Sequence, residues 1–198
     1  MSTSETELRY HHGDLRRSLI AAGLVLLADK GAAGLGLREL ARAVGVSAAA
    51  PYRHFADRKA LLEAVAAEGF ARFVAGMAAA RENVFEDEQL AAMAFAYVRF
   101  ALDQPPLFRL MFSSELHPHR DPALKRHADA AYASIAVAAA REDKSAPAEV
   151  AVTCWSFVHG LAMLLLEEQI LGVSPANADA LVRTLTERFV RDIRAGRK

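Results

Sequence analysis

Apolar residues recur at helical spacing through almost the whole chain. The clearest case is 37–44, where Leu37, Leu40, Ala41 and Val44 fall at i, i+3, i+4 and i+7 on one helical face. Gly45 follows and supplies the positive φ that lets the chain reverse. Val46 is apolar and plugs the gap, and Ser47 caps a second helix running through Tyr52 to Phe55. Pro51 is tolerated only in a first helical turn, so Ala48 is the alternative cap. Two helices joined by a short Gly-containing turn make a helix-turn-helix, whose second helix enters the major groove of DNA.

The same reading extends to both sides. Met1 to Tyr10 is a polar, flexible arm, and Asp14 caps a helix from Leu15 to about Lys30, stopped by Gly31. Asp57 caps a long amphipathic helix through Leu61, Leu62, Val65, Phe70, Phe73 and Met77. After the charged break ARENVFEDE comes a helix from about Glu88 to Asp103, stopped before Pro105-Pro106. FRLMFSSEL forms a shorter helix, HPHRDP (117–122) a loop, and Ala123 to about Ala140 another helix. The last two run from about Pro147 to Leu171 and from Pro175 to Ala195, with Ser145 and Ser174 as caps. The fold class is all-α, with nine helices; no alternating β-branched run reads as a strand.

Composition changes this picture little. At 198 residues and 53% apolar content, rich in Ala and Leu, the chain can bury a good core. A single Cys154 excludes an intrachain disulfide framework and fits a reducing cytoplasm. Met1 to Glu7 is polar and acidic, unlike a signal peptide. Val150 to Leu166 is a long apolar run, but Thr153, Ser156, His159 and Gly160 interrupt it and glutamates bracket it. It reads as a core and interface helix, with no membrane as partner. Charge is more telling: the chain is neutral overall, yet residues 1–60 carry +3 and the remainder −3. His11, His12 and His54 add to a mildly basic N-terminal part, the sign a phosphate backbone wants.

Four blocks in order, LRRSLIAAGLVLLADKG, LRELARAVGVS, PYRHF and DRKALLEAV, resemble the N-terminal domain of TetR-type transcriptional repressors over about residues 10–70. The resemblance implies a three-helix DNA-binding domain at 10–56 and a helical ligand-binding and dimerisation domain at 57–198, linked by the helix 57–80. Tyr52 and His54 resemble the family's phosphate contacts. Lys59 lies in a first helical turn, where free N–H groups also favour a phosphate. Arg38 and Ser47 sit at helix starts beside which a sugar-phosphate strand can pass. Arg53 is open to three readings: base reader, phosphate clamp or solvated charge.

Two departures matter. Family members often place Ser or Thr before the first helix of the motif, where this chain has Gly36. The recognition helix begins with Ala48, Ala49 and Ala50, which make no bidentate base contacts but can touch a thymine methyl and allow close approach. Readout is therefore expected to lean on Arg53, methyl contacts and DNA shape.

WSFVHG at 155–160 resembles the Trp-x-x-x-His-Gly signature of one TetR subgroup. Trp155 and His159 share a helical face, either as the wall of an effector pocket or as a core Trp with a hydrogen-bonded His. Phe73, Met77, Phe95, Phe100, Phe108, Met111 and Met163 are further pocket candidates, since Met and Phe suit adaptable apolar sites. His117, His119, Asp121 and His127 have metal-ligand character but lack fixed spacing, so they read as a solvated loop. With no nucleophile motif and no Gly-rich phosphate loop, neither enzyme chemistry, metal nor cofactor is expected. Cys154 reads as a buried thiol.

The expected partners are a palindromic double-stranded DNA operator, a small apolar or amphipathic effector, and a second copy of the chain through the last two helices. The expected function is a cytoplasmic, homodimeric, ligand-released repressor. The alternative is a helical interaction protein whose alanine-fronted motif does not bind DNA.

Overall fold

The computed structural model describes residues 3–82, 84–116, 122–142 and 145–195. They form eight α-helices and no strand: α1 (Thr3–Lys30), α2 (Leu37–Val44), α3 (Arg58–Ala79), α4 (Gln89–Asp103), α5 (Pro105–Met111), α6 (Pro122–Glu142), α7 (Pro147–Leu166) and α8 (Asp179–Ala195). Short 3-10 turns lie at Ala32–Gly34, Pro51–Arg53 and Glu86–Glu88.

The expected ninth helix, the second of the helix-turn-helix, is one of these 3-10 turns. Pro51 has no N–H to give the Ser47 carbonyl, and its ring would crowd that carbonyl in an α-turn. The carbonyl accepts from Ala50 N–H at 2.9 Å, and the i to i+3 pattern continues from Arg53 to Ala50 and from His54 to Pro51. Ser47 caps nothing. Ala50 stands at the N-cap position, without a side-chain bond.

Other expectations shift at element ends. Helix α1 begins at Thr3, so 3–10 is helix rather than arm and Asp14 lies inside it. Gly13 and Gly23 are poor helix formers, but a cost of about 1 kcal/mol each does not break a long helix. Helix α5 starts at Pro105, because prolines suit the first turn, and ends at Met111 before the turn-forming Ser113 and Ser114. Helix α7 stops at Leu166 instead of Leu171, where Glu167 and Glu168 bring like charge to the negative end of the dipole. Ala146, not Ser145, is its N-cap residue. Ser174 caps no helix: its N–H meets Asn177 Oδ1 at 2.7 Å in a turn, and α8 begins only at Asp179. Residues 117–121 of the HPHRDP loop lie outside the described residues.

The helix-turn-helix corner forms as expected. Gly45 takes φ 75° and ψ 31°, and Val46 N–H reaches back to Ala41 O at 3.0 Å, closing α2. Asp57 Oδ1 accepts the Ala60 N–H at 2.8 Å and caps α3.

The chain folds as two compact units, Met1–Gly69 with Pro106–Leu124, and Phe70–Pro105 with Lys125–Lys198. In the first, Leu19 and Leu27 of α1, Leu40 of α2, and Leu61 and Val65 of α3 are fully buried together with Leu35. At Gly69 an added Cβ would lie 2.8 Å from both Leu107 Cδ1 and the Met111 sulfur, so α5 packs onto a bare stretch of α3. In the second unit α4 packs against both α7 and α8. Phe157 stacks flat on Phe189 at 4.0 Å, joining α7 to α8. Arg194 grips buried Glu142 through two bonds of 2.8 Å, tying the end of α8 to the end of α6.

Candidate nucleic-acid interface and effector cavity

The 3-10 turn and the residues after it split between a buried and an exposed side. Pro51 and Phe55 are buried and seat the turn, while Tyr52 and Arg53 are turned outward, Tyr52 with 52% of its surface exposed. Arg38, Ser47, Ala48, Ala49 and Lys59 are also exposed; Ala50 and His54 are half buried. Lys59 pairs loosely with Glu63 at 3.6 Å along α3. Arg16 of α1 lies over the Phe55 ring at 5.5 Å, bracing the end of the turn. The motif thus exposes two helix starts, an outward Tyr-Arg pair and small alanines. Arg58, which no sequence pattern singled out, lies among them: its guanidinium donates to Leu35 O at 3.0 Å and Ala32 O at 2.5 Å.

In the second unit Trp155 and His159 meet on one hydroxyl. Trp155 Nε1 donates to Tyr97 Oη at 3.2 Å, and Tyr97 Oη lies 2.9 Å from His159 Nδ1. Indole N–H is donor only, so the tyrosine's own proton is free for the imidazole. Burial pushes the His159 pKa down and the Tyr97 pKa up, which keeps both neutral near pH 7. Phe73 and His159 approach the Tyr97 ring edge-on, and Tyr132 meets Trp155 at 5.7 Å.

Beside this cluster Met77, Met93, Tyr97, Ile135, Cys154 and Phe189 line an apolar cavity of about 20 Å³, room for one water. Of the expected pocket residues only Met77 lines it. Phe73 packs on Tyr97 and Phe100, Phe95 lies under the Arg183 guanidinium at 4.6 Å, and Met163 is half buried on α7. Phe108 and Met111 are buried in the first unit. Tyr97 was missed although a polar-tipped aromatic inside the apolar run LAAMAFAYV was its signal. Cys154 is buried as expected; desolvation, then the Glu142 charge, raises its pKa to about 11, so it stays a thiol. Among the described residues no group of three His, Cys, Asp or Glu could hold a metal ion; three of the four candidate ligands, 117, 119 and 121, lie outside them.

Residues 19–65 match the sequence family described as bacterial regulatory proteins, tetR family. Residues 90–189, half of the chain, match the tetracyclin repressor-like C-terminal domain. The chain belongs to the TetR family. A solved Rhodococcus sp. RHA1 protein of unknown function is 33% identical to this TetR-family chain, covering 92% of it and 97% of its own length with a TM-score of 0.79. The TetR regulator PfmR of Thermus thermophilus shares the fold at a TM-score of 0.63 and 22% identity, over 88% of this chain and 94% of its own. HTH-type transcriptional regulator Rv1816 of Mycobacterium tuberculosis is 27% identical over 111 residues, 54% of this chain; the match spans about half, 47%, of that relative. The family matches fall on both sites: 19–65 contains the exposed turn, and 90–189 contains Tyr97, Trp155 and His159.

Within this TetR-family frame α7 has the length and apolarity of a membrane span, with a mean hydropathy of 1.6. Its inner face packs in the second unit, and 39% of the apolar window is buried, leaving Val152, Trp155 and Leu164 outward.

Proposed function

We propose that this protein is a homodimeric repressor that grips a palindromic operator and leaves it when a small apolar or amphipathic effector binds. The observation that carries the DNA half is the exposed surface of Arg38, Ala48, Ala49, Tyr52, Arg53 and Lys59 around the buried Pro51 and Phe55. Tyr52, His54, Lys59, Arg38 and Ser47 serve the phosphates, which supply affinity. Arg53 is the one side chain of the turn with the reach and donors for a guanine edge. A 3-10 turn offers a narrower front than an α-helix, which shifts readout toward groove shape and methyl contacts.

The dimer half rests on α7: its outward Val152, Trp155 and Leu164 are apolar and suit a second copy against α7 and α8. The effector half rests on the cavity at Met77, Met93 and Tyr97, whose flexible thioethers can yield to a larger apolar guest. An effector that prefers the DNA-incompetent dimer shifts the population away from the operator. Such a protein works where its DNA is, in the cytoplasm.

Selection of duplexes from a random pool, followed by binding with and without a small-molecule library, tests this. Enrichment of a two-fold symmetric site, released by at least one compound, is the expected result. No enriched site would leave the non-DNA interaction protein as the better reading.

A further inference from the structure

We infer that Arg58 is a positioning residue for DNA reading, a clamp that ties the segment leading into α2 to the start of α3. Helix α2 starts at Leu37 with Gly36 as its N-cap residue, and no side chain caps it. Its first turn therefore relies on the backbone bond from Leu40 N–H to Gly36 O at 3.0 Å. The two carbonyls just upstream, Ala32 O and Leu35 O, are both taken by the Arg58 guanidinium, through Nη2 and Nε. Arg58 is the first residue of α3, directly after the capping Asp57 and before Lys59. One planar fork thus ties the lead-in of α2 to the first turn of α3, the two helix starts that carry Arg38 and Lys59. It sets the spacing of the phosphate contacts on either side of the turn at Pro51–Arg53. Lysine cannot replace it, because a single ammonium does not reproduce the two-pronged donor geometry.

The inference rests on the phosphate roles proposed for Arg38 and Lys59, and its test separates the two. Arg58→Lys keeps the charge and removes the fork. In the free variant the Leu40 amide should exchange with solvent about tenfold faster. Affinity for the duplex selected by the wild-type protein should fall about five- to tenfold, with the slope of log K against log salt unchanged. Should Arg58→Lys not fold, Arg58→Gln is read in its place: faster Leu40 exchange supports the clamp and unchanged exchange overturns it.

Unchanged exchange in Arg58→Lys overturns the inference. So does full affinity in Arg58→Lys with a slope lowered by about 0.9 in Arg58→Gln, which would make Arg58 a phosphate ligand. Arg38→Gln and Lys59→Gln should each lower the slope by that amount. If they do not, the phosphate roles fail, while the Leu40 exchange rate still decides the clamp.

Discussion

The indole of Trp155 donates its N–H to the hydroxyl of Tyr97 at 3.2 Å, and that hydroxyl in turn faces His159 Nδ1 at 2.9 Å. A residue with no place in the Trp-x-x-x-His-Gly pattern is what makes its Trp and His act together. The pair therefore serves first as packing between α4 and α7, and only through Tyr97 does it touch the cavity.

Tyr97→Phe removes the hydroxyl and strips both partners at once. The variant should lose about 1–3 kcal/mol of stability, measured by urea unfolding, with a change in Trp155 emission. Unchanged stability would show that water serves the two groups equally well.

Stability should also depend on pH through His159. Its pKa is lower in the fold than in the unfolded chain, so between the two values the unfolded chain binds more protons. Stability is then fully present above about pH 6.5 and falls as pH drops below it. His159→Gln should flatten the unfolding midpoint against pH in that window; an identical profile would place the dependence elsewhere.

Ala49→Glu puts a carboxylate on the exposed front of the turn, facing phosphate in the proposed complex. Like charge costs several kcal/mol, so operator affinity should drop about a hundredfold or more while the melting temperature stays put. Retained binding would show that this face does not enter the groove.

Met93→Ala enlarges the cavity beside Tyr97 and Cys154. It should cost about 2–5 kcal/mol, and benzene should raise the variant's melting temperature by filling the space. A variant indifferent to benzene would mean that the site collapses rather than opens.

Leu164→Arg places charge on the outward face of α7, where Leu164 is 48% exposed. Sedimentation should show the dimer dissociating and operator affinity falling with it, although the monomer remains folded. A variant that stays dimeric would move the interface off this face.

What the sequence determined by itself was local. The period of Leu37, Leu40, Ala41 and Val44, the left-handed Gly45 and the capping Asp57 act within one or two turns, so the corner and the start of α3 were legible from these residues alone. Arg38 falls off the apolar face of the same period, whereas Tyr52 was singled out by the family resemblance. Tertiary structure decided what depends on atoms distant in the chain. Pro51 turns the expected helix into a 3-10 turn, a local rule whose outcome is set only when Phe55 and Pro51 find their buried seats. Tyr97 joins Trp155 and His159 across 58 and 62 residues, and Arg58 reaches carbonyls 23 and 26 residues upstream. No periodicity encodes such pairings, because a hydrogen bond is short and directional and its partner is chosen by packing. The glycine at 36 announced a missing cap; only the folded chain showed that Arg58 holds the carbonyls just before it.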